Sequence, residues 1–180
     1  MIILRKINPG HYNKVYEVEY EGEIAIAKFT KSITLFTANA ETFFGRIFLD
    51  DNRTYSTPAK RQEYEIRRLK TLKETGANVP EIISTGKNYF VMKNIPGNTL
   101  EQELKMGRTE RIEETVEALR NFHRITGNYH GSPRPRNIIL NDNGVYFVDL
   151  ETQLVGQTLA SNQARDLKIL AIGIHKFQKK

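Results

Sequence analysis

Two polar residues in the C-terminal half of the chain are spaced so that they could bind a divalent cation together. Asn137 comes just before the apolar run 138–140, and Asp149 directly follows the apolar run 145–148. Between these runs, residues 141–144 read Asn-Asp-Asn-Gly, which predicts a hairpin turn because Asn and Gly tolerate a left-handed backbone. Such a hairpin would place Asn137 and Asp149 side by side. Oxygen ligands of this kind suit Mg²⁺, so the pattern predicts a magnesium site.

A lysine in the N-terminal half has the setting of a phosphate ligand. Residues 14–20 and 24–29 have the patterns of two β-strands that are joined by a turn at 21–23. On the second strand, period-two geometry places Ile26 and Lys28 on one face. An ammonium group that emerges from an apolar strand face is suited to holding phosphate beneath a purine ring. The alternative is a lysine at a strand end with its charged head in water.

A helix further along the chain carries two glutamates, either of which could pair with that lysine. The Thr-Pro pair at 57–58 is typical of a helix start, and apolar residues then recur at helical spacing. Glu63 and Glu65 both lie on this helix and could pair with Lys28. Glu65 is favoured because Leu69, four residues on, places it at the edge of the packed face. The alternative is a surface helix that carries ordinary charge pairs.

The rest of the chain indicates a mixture of strands and helices. Residues 31–56 contain several aromatic residues that need cover, and they are interpreted as an insertion with some helical or mobile structure. Further elements are expected as strands over 81–84 and 89–92, a capped helix from Thr99, a longer helix over about 111–123 and a last helix around Asp166. A chain of 180 residues without an internal repeat suggests one domain, or two small lobes around a cleft.

The stretch from His130 to Asp149 resembles the catalytic region of the protein-kinase superfamily. That region reads H-R-D-L-x-x-x-N and is followed, after a short hairpin, by a metal-binding Asp. Here residues 130–137 read His-Gly-Ser-Pro-Arg-Pro-Arg-Asn, and residues 25–28, Ala-Ile-Ala-Lys, match the kinase pattern V-A-I-K. His-Gly in place of His-Arg is similar to RIO-like kinases, small KEOPS-associated kinases and aminoglycoside phosphotransferases. The sequence departs from the family at Ser132, which stands where the catalytic Asp is expected.

This resemblance implies a two-lobed kinase-like fold of the α+β class. The N-lobe would comprise residues 1–93, with an antiparallel sheet, one helix and the insertion at about 31–56. The C-lobe would comprise residues 94–180 and would be truncated and mainly helical. The ligands that the resemblance implies are ATP and Mg²⁺.

The resemblance also assigns roles around the catalytic segment. Ser132, Arg134 and Asp149 are expected to be catalytic, with Arg134 neutralising the transferred phosphate, and Asn137 and Asp149 are expected to bind the metal. Asp166 is expected to brace the catalytic-loop backbone; as a helix N-terminal residue it could also favour the helix dipole, and both roles could hold together. Contacts to the nucleotide are expected from Gly10, Val15, Ile26, Lys28, Glu65, Met92, Lys93, Ile95 and Ile139.

The glycine-rich loop and the hinge of that nucleotide site are assigned from their positions in the sequence more than from side-chain chemistry. Only Gly10 and Val15 fit the glycine-rich loop of the family, so the phosphate-covering loop is reduced. At the expected hinge, Met92 would be the gatekeeper, Lys93 would offer its carbonyl and Ile95 its amide to the adenine edge. Backbone recognition leaves little signature in a sequence.

Composition limits the partners and the location. The net charge of +6 suits a polyanion such as nucleotide or RNA, although a solvated basic surface explains it equally well. The chain contains no cysteine, which fits a reducing compartment. Its N-terminal apolar run is too short for a signal peptide, and no run approaches the length of a membrane span. A cytoplasmic protein without a membrane partner is therefore expected.

Three functions are compatible with these patterns. The first is an atypical serine/threonine-kinase-like phosphotransferase or ATPase, in which water, Glu151 or the substrate replaces the missing base. The second is a pseudokinase that binds nucleotide and recruits a protein partner. The third is a basic module that binds RNA. Four residues suit the binding of Mg-ATP, namely Lys28, Glu65, Asn137 and Asp149. A pure scaffold would need none of them, so slow nucleotide-dependent phosphotransfer is favoured.

Overall fold

A computed structural model describes residues 1–9, 13–30 and 57–178, and it confirms the predicted α+β class. Gly10 and the expected insertion at 31–56 lie outside the described residues. In chain order the elements are β1 (Ile2–Pro9), β2 (Asn13–Tyr20), β3 (Glu23–Thr30), α1 (Pro58–Glu74), β4 (Ile82–Gly86), β5 (Tyr89–Lys93), β6 (Asn98–Thr99), α2 (Leu100–Lys105), α3 (Ile112–Thr126), a 3-10 turn (Pro135–Asn137), β7 (Ile138–Asn141), β8 (Gly144–Phe147) and α4 (Leu159–Gln178).

A five-stranded antiparallel sheet contains the first five strands, in the order β1-β2-β3-β5-β4. Val15 lies opposite Lys28 in the pairing of β2 with β3, and Ile26 lies opposite Met92 in the pairing of β3 with β5. Directly opposed residues share a face of a sheet, and so do residues two apart on one strand. The register therefore places four of the residues assigned to the nucleotide on one face.

Strand β1 is an element that the sequence analysis did not predict. Its apolar residues run consecutively instead of alternating, and Ile2 and Ile3 are both more than half exposed, at 61% and 54%. β1 is an edge strand that pairs with β2. Because neither of its faces is deeply buried, no period-two pattern marks it in the sequence.

Helix α1 begins where the Thr-Pro pair predicts. The Thr57 hydroxyl accepts a hydrogen bond from the Lys60 amide at 3.4 Å, and Pro58 occupies the first turn, where its missing N–H is not needed. The buried face of the helix carries polar and charged residues as well as apolar ones, namely Gln62, Glu65, Arg68, Leu69 and Leu72. This face therefore serves both the core and the polar site described below.

The C-terminal part of the chain combines helices with the small sheet β6-β7-β8. Helix α2 begins with the predicted capping box, in which Thr99 and Gln102 exchange side-chain-to-backbone hydrogen bonds. In the β7–β8 hairpin, Asn141 lies opposite Gly144, which confirms the predicted turn. The main hydrophobic core joins α1, β5, the helices α2 to α4 and this hairpin. Within the described ranges, no helix combines the length and the apolarity needed to cross a bilayer.

Candidate active site

Residues that lie far apart in the sequence meet around the side chain of Lys28. Its Nζ donates hydrogen bonds to the two carboxylate oxygens of Glu65, at 2.9 and 2.8 Å, and to Oδ1 of Asp149 at 2.7 Å. Lys28 and Glu65 are buried, whereas Glu63 is exposed. Of the two candidate glutamates on α1, the one that contacts Lys28 is thus Glu65.

A third carboxylate belongs to the same cluster. Glu151 Oε2 lies 3.2 Å from Lys28 Nζ and accepts a hydrogen bond of 2.7 Å from Asn13 Nδ2 at the start of β2. Sequence analysis considered Glu151 as a replacement base but gave it no place in the phosphate site. Its contacts place it on the Lys28 side of the site, against the strand that follows the reduced glycine loop.

The charges of this cluster are strongly shifted by burial and by one another. Burial alone would lower the pKa of Lys28, but Asp149, Glu65 and Glu151 outweigh it and hold that pKa well above its usual value. Burial raises the pKa of Glu65 to about 7, although Lys28 opposes the rise. Burial also disfavours the Asp149 carboxylate, but Lys28 overcomes this effect and lowers the pKa of Asp149. Among the described residues, one ammonium thus faces three carboxylates, which gives this cluster an excess of negative charge.

Asn137 and Asp149 converge at the end of the hairpin. Asn137 Nδ2 lies 3.4 Å from Asp149 Oδ2 and 3.0 Å from the carbonyl oxygen of Ser132, and the Val148 amide donates to the Asn137 carbonyl at 3.0 Å. Asp149 has a φ of +64°, an unfavourable backbone conformation for a residue with a side chain. Such strain persists only where the surrounding structure holds it in place.

This donor set fits a magnesium ion. Within residues 1–9, 13–30 and 57–178, no group of three or more His, Cys, Asp or Glu side chains is arranged to hold a metal. Mg²⁺ does not require such a group, because it usually takes one or two protein oxygens together with phosphate oxygens and water. A carboxylate and an amide in a site with excess negative charge meet that requirement.

The backbone of residues 130–137, here called the catalytic loop, is braced from helix α4. Asp166 accepts hydrogen bonds from the amides of His130 and Gly131, at 2.5 and 2.8 Å, and it also lies 3.0 Å from His123 Nε2. Asp166 is buried in the middle of the helix that begins at Leu159. The interpretation of Asp166 as a helix N-terminal residue is therefore wrong.

Ser132 is held in this loop through its backbone. Its amide donates to His130 Nδ1 at 3.3 Å, and its carbonyl accepts from the Arg134 amide at 2.8 Å. Ser132 is half-buried, whereas Arg134 is exposed at the entrance to the 3-10 turn. Its side chain is a hydroxyl, which can hydrogen-bond a neighbouring group but cannot accept a proton near neutral pH as a carboxylate can.

The remaining residues assigned to the nucleotide occupy two regions. Val15, Ile26 and Met92 share the sheet face that carries Lys28, and Met92 is 9% exposed. Lys93 ends β5 and is exposed, and Ile95 is half-buried in the segment that follows. Ile139 lies on the second sheet, where it pairs with Thr99 and Tyr146, and it is half-buried.

Sequence analysis missed Arg68, which contacts the site from helix α1. Its Nη1 donates to the carbonyl oxygens of His130 and Leu150, both at 3.1 Å, and to that of Thr152 at 3.4 Å. A usable signal was present, because Arg68 lies three residues after Glu65 and so shares the core-facing side of the helix. A charged residue on that side requires buried partners.

The fold and this cluster, in which a buried lysine and a buried glutamate meet a half-buried aspartate, define a protein-kinase-like domain. The model of the RIO domain matches residues 14–178. The chain therefore belongs to the RIO-domain family of protein-kinase-like proteins.

Individual relatives agree with this assignment. The chain is 30% identical over 142 residues to a probable bifunctional tRNA threonylcarbamoyladenosine biosynthesis protein of Thermoplasma acidophilum, covering 78% of this chain and 24% of that protein. Its fold is similar to that of the Rio2 kinase of Chaetomium thermophilum, solved as an ADP/Mg²⁺-phosphoaspartate complex. That similarity has a TM-score of 0.66 at 18% identity and covers 98% of this chain and 55% of the kinase. The chain thus spans about a quarter and about half of these two proteins.

Proposed function

We propose that this chain binds Mg-ATP and transfers its γ-phosphoryl group slowly, as an atypical serine/threonine-kinase-like phosphotransferase or an ATPase. The observation that carries the proposal is the contact of Lys28 with both Glu65 and Asp149. A phosphate ligand, the residue that orients it and a metal ligand then lie within one hydrogen-bonded group. The Rio2 kinase complex, which contains ADP and Mg²⁺, supports the choice of ligands.

The protein's own groups divide the work of binding. Lys28 would pair with nucleotide phosphate oxygens, and Glu65 would keep the ammonium pointing towards them. Asn137 and Asp149 would hold Mg²⁺, which supplies charge neutralisation on the phosphates when bound. In this proposal residues 1–93 form the lobe that covers the nucleotide, and residues 94–180 form the lobe that carries the metal ligands.

Ser132 limits the rate of transfer in this proposal. Losing a positioned general base costs roughly a hundredfold to ten-thousandfold in rate. Arg134 would neutralise the transferred phosphate, a role that its permanent charge suits. Because phosphoryl transfer depends mainly on positioning and charge neutralisation, a reduced activity is expected without the Asp.

A pseudokinase is the second candidate, and the specific observation that favours it is Ser132 itself. In that case, nucleotide binding would stabilise a domain that recruits a protein partner. The name of the Thermoplasma relative, which refers to tRNA modification, supports a search for protein and RNA partners. RNA binding through the basic surface would show as salt-sensitive retention that is indifferent to ATP.

Nucleotide binding is tested by the shift in melting temperature that Mg-ATP causes. We expect the wild-type protein to be stabilised by about 2.7 kcal/mol at a nucleotide concentration a hundred times the Kd. Asp149→Asn should lose this shift, whereas Asp142→Asn, at an exposed carboxylate of the same hairpin, should keep it. A wild-type protein without a shift, or an unchanged shift in Asp149→Asn, would contradict the proposal.

The choice between enzyme and pseudokinase needs a transfer measurement. Release of ADP and incorporation of labelled γ-phosphate are compared for the wild type, Ser132→Asp and Lys28→Ala. Activity in the wild type that Lys28→Ala removes supports the enzyme, provided that Lys28→Ala melts cooperatively. Activity confined to Ser132→Asp supports the pseudokinase instead.

A further inference from the structure

Arg68 is a buried cation that connects helix α1 to two separate segments of the site. Its hydrogen bonds to the carbonyl oxygen of His130, at 3.1 Å, and to those of Leu150 and Thr152, at 3.1 and 3.4 Å, all come from Nη1. The first carbonyl belongs to the catalytic loop. The other two belong to residues 148–152, here called the Asp149 segment. One guanidinium therefore holds both segments at a single point.

The backbone at this junction needs a restraint. Gly131 has a φ of +94°, and a Cβ at that position would lie 2.9 Å from Thr152 Cβ, so the two segments are in close contact. Asp149 is also in the left-handed region, with a φ of +64°. The His130 carbonyl lies in the peptide that immediately precedes Gly131, and the Leu150 carbonyl belongs to the residue that follows Asp149. Arg68 therefore acts on the peptide next to Gly131 and on a peptide one residue beyond Asp149.

The guanidinium is itself fixed in place. Arg68 is 6% exposed, and its Cζ lies 4.9 Å from the ring centroid of Tyr129 and 5.8 Å from that of Tyr64. Aromatic rings on a planar cation restrict its rotation and so keep Nη1 directed at the three carbonyl oxygens. A lysine at this position would offer a compact ammonium without a planar face, which cannot stack on the two rings in this way.

We propose that Arg68 is a positioning residue that fixes the catalytic loop and the Asp149 segment against helix α1. Glu65 lies one turn earlier on the same helix and holds Lys28. The orientation of the phosphate ligand and that of the metal ligand are then set by one rigid element. The expected effect of Arg68 on nucleotide affinity rests on the proposed function. Its restraint on the backbone does not, because that restraint exists without nucleotide.

The restraint is tested first without nucleotide, by hydrogen exchange on the full chain. Arg68→Met is compared with Arg67→Met, which removes the same side chain from the exposed neighbouring position. We expect amides in 130–132 and 149–152 to exchange about tenfold faster in Arg68→Met only. Arg68→Lys should resemble Arg68→Met. Equal protection in all variants, or full protection in Arg68→Lys, would overturn the proposal.

Nucleotide affinity then separates positioning from a general loss of stability. Below the melting temperature of each variant, Arg68→Met should bind Mg-ATP about tenfold more weakly, with little change for ATP in the presence of EDTA. Equal weakening of both affinities would overturn the proposal, because a general loss of stability lowers the affinities for Mg-ATP and for metal-free ATP alike. If the wild type binds no nucleotide, the proposed function fails, and hydrogen exchange alone decides the role of Arg68.

Discussion

At the scale of single residues, the protonation state of each group in the cluster around Lys28 depends on the charges of its neighbours. The ammonium is 4% exposed and its partner Glu65 is 2% exposed, so neither charge is hydrated. Burying an ion without a partner costs several kcal/mol, and removing one member of a buried pair typically costs about 3–5 kcal/mol. Lys28 therefore keeps its charge through its carboxylate partners and opposes the rise that burial causes in the pKa of Glu65, while Asp149 and Glu151 add the negative excess proposed to attract Mg²⁺.

His130 is a residue whose burial makes the stability of the protein depend on pH. Burial lowers the pKa of His130 to about 4, from an ordinary value of 6.5, although Asp166 and Asp149 oppose the shift and Arg68 reinforces it. The folded state thus prefers the neutral ring. The corresponding stability is fully present above pH 6.5 and is lost as the pH falls towards 4, by about 3 kcal/mol in total.

The variant His130→Phe keeps an aromatic ring beside Phe122 and Phe147 but removes the imidazole that titrates. Between pH 7 and pH 4.5, the variant should lose about 2–3 kcal/mol less unfolding free energy than the wild type. Urea denaturation at several pH values measures both curves, and carboxylates that do not interact with His130 cancel in the difference. Parallel curves would show that His130 is not responsible for acid sensitivity.

At the scale of elements, two helices hold the catalytic loop from different sides. Helix α1 reaches it through Arg68, and helix α4 reaches it through Asp166. Helix α4 also makes a close backbone contact. A Cβ on Gly173 would lie 2.5 Å from Cδ of Pro135, which begins the 3-10 turn leading to Asn137. A residue with a side chain at 173 would therefore move the helix away from the loop.

Gly173→Ala is expected to be destabilising, although alanine is the better helix former. The gain in helix propensity is about 1 kcal/mol, whereas overpacking against a rigid proline costs roughly 1–3 kcal/mol. We expect a net loss of about 1 kcal/mol in denaturant unfolding and a smaller Mg-ATP stabilisation. Ala171→Gly, at an exposed position of α4, measures the propensity effect in this helix. A more stable Gly173→Ala would contradict the close approach of helix and loop.

At the scale of the whole molecule, one hydrophobic core supports both parts of the site. The main cluster contains Phe90 and Met92 from the large sheet together with Leu119 and Phe147 from the C-terminal part. The proposed boundary between lobes at residues 93 and 94 therefore runs through a shared core. Domains that share a core unfold together, so we expect a single transition for the described part of the chain.

Phe147→Ala tests this shared core. The Phe147 ring lies 5.2 Å from that of Phe122 and 5.7 Å from that of His130, so truncation leaves a cavity at the centre of the cluster. We expect a loss of about 3–5 kcal/mol and one cooperative transition at lower denaturant concentration. Ile172→Ala, at a position that is 49% exposed, should change stability little. Two separate transitions in Phe147→Ala would show that the parts unfold independently.

The sequence by itself determined the elements and the local geometry that depend on neighbours along the chain. The Asn-Asp-Asn-Gly turn, the start of α1 at Pro58 and the capping box at Thr99 are all governed by backbone preferences within a few residues. The catalytic-type motif likewise indicated Lys28 and Asp149 as partners in one site. The edge strand β1 was missed because a strand with two exposed faces has no periodic signal.

Only the tertiary structure decided which charged residues share the buried site. The sequence favoured Glu65 as the partner of Lys28 but left a surface helix with ordinary charge pairs as an alternative. For Arg68 it gave only the spacing from Glu65, and Asp166 was compatible with a helix N-terminus. Each proves to be buried because another element supplies its partner, Lys28 for Glu65 and loop backbone groups for Arg68 and Asp166. Hydrogen-bond partners of this kind come from distant parts of the chain, so local sequence carries no record of them. That is why the role proposed for Arg68 could be inferred only after the chain was folded.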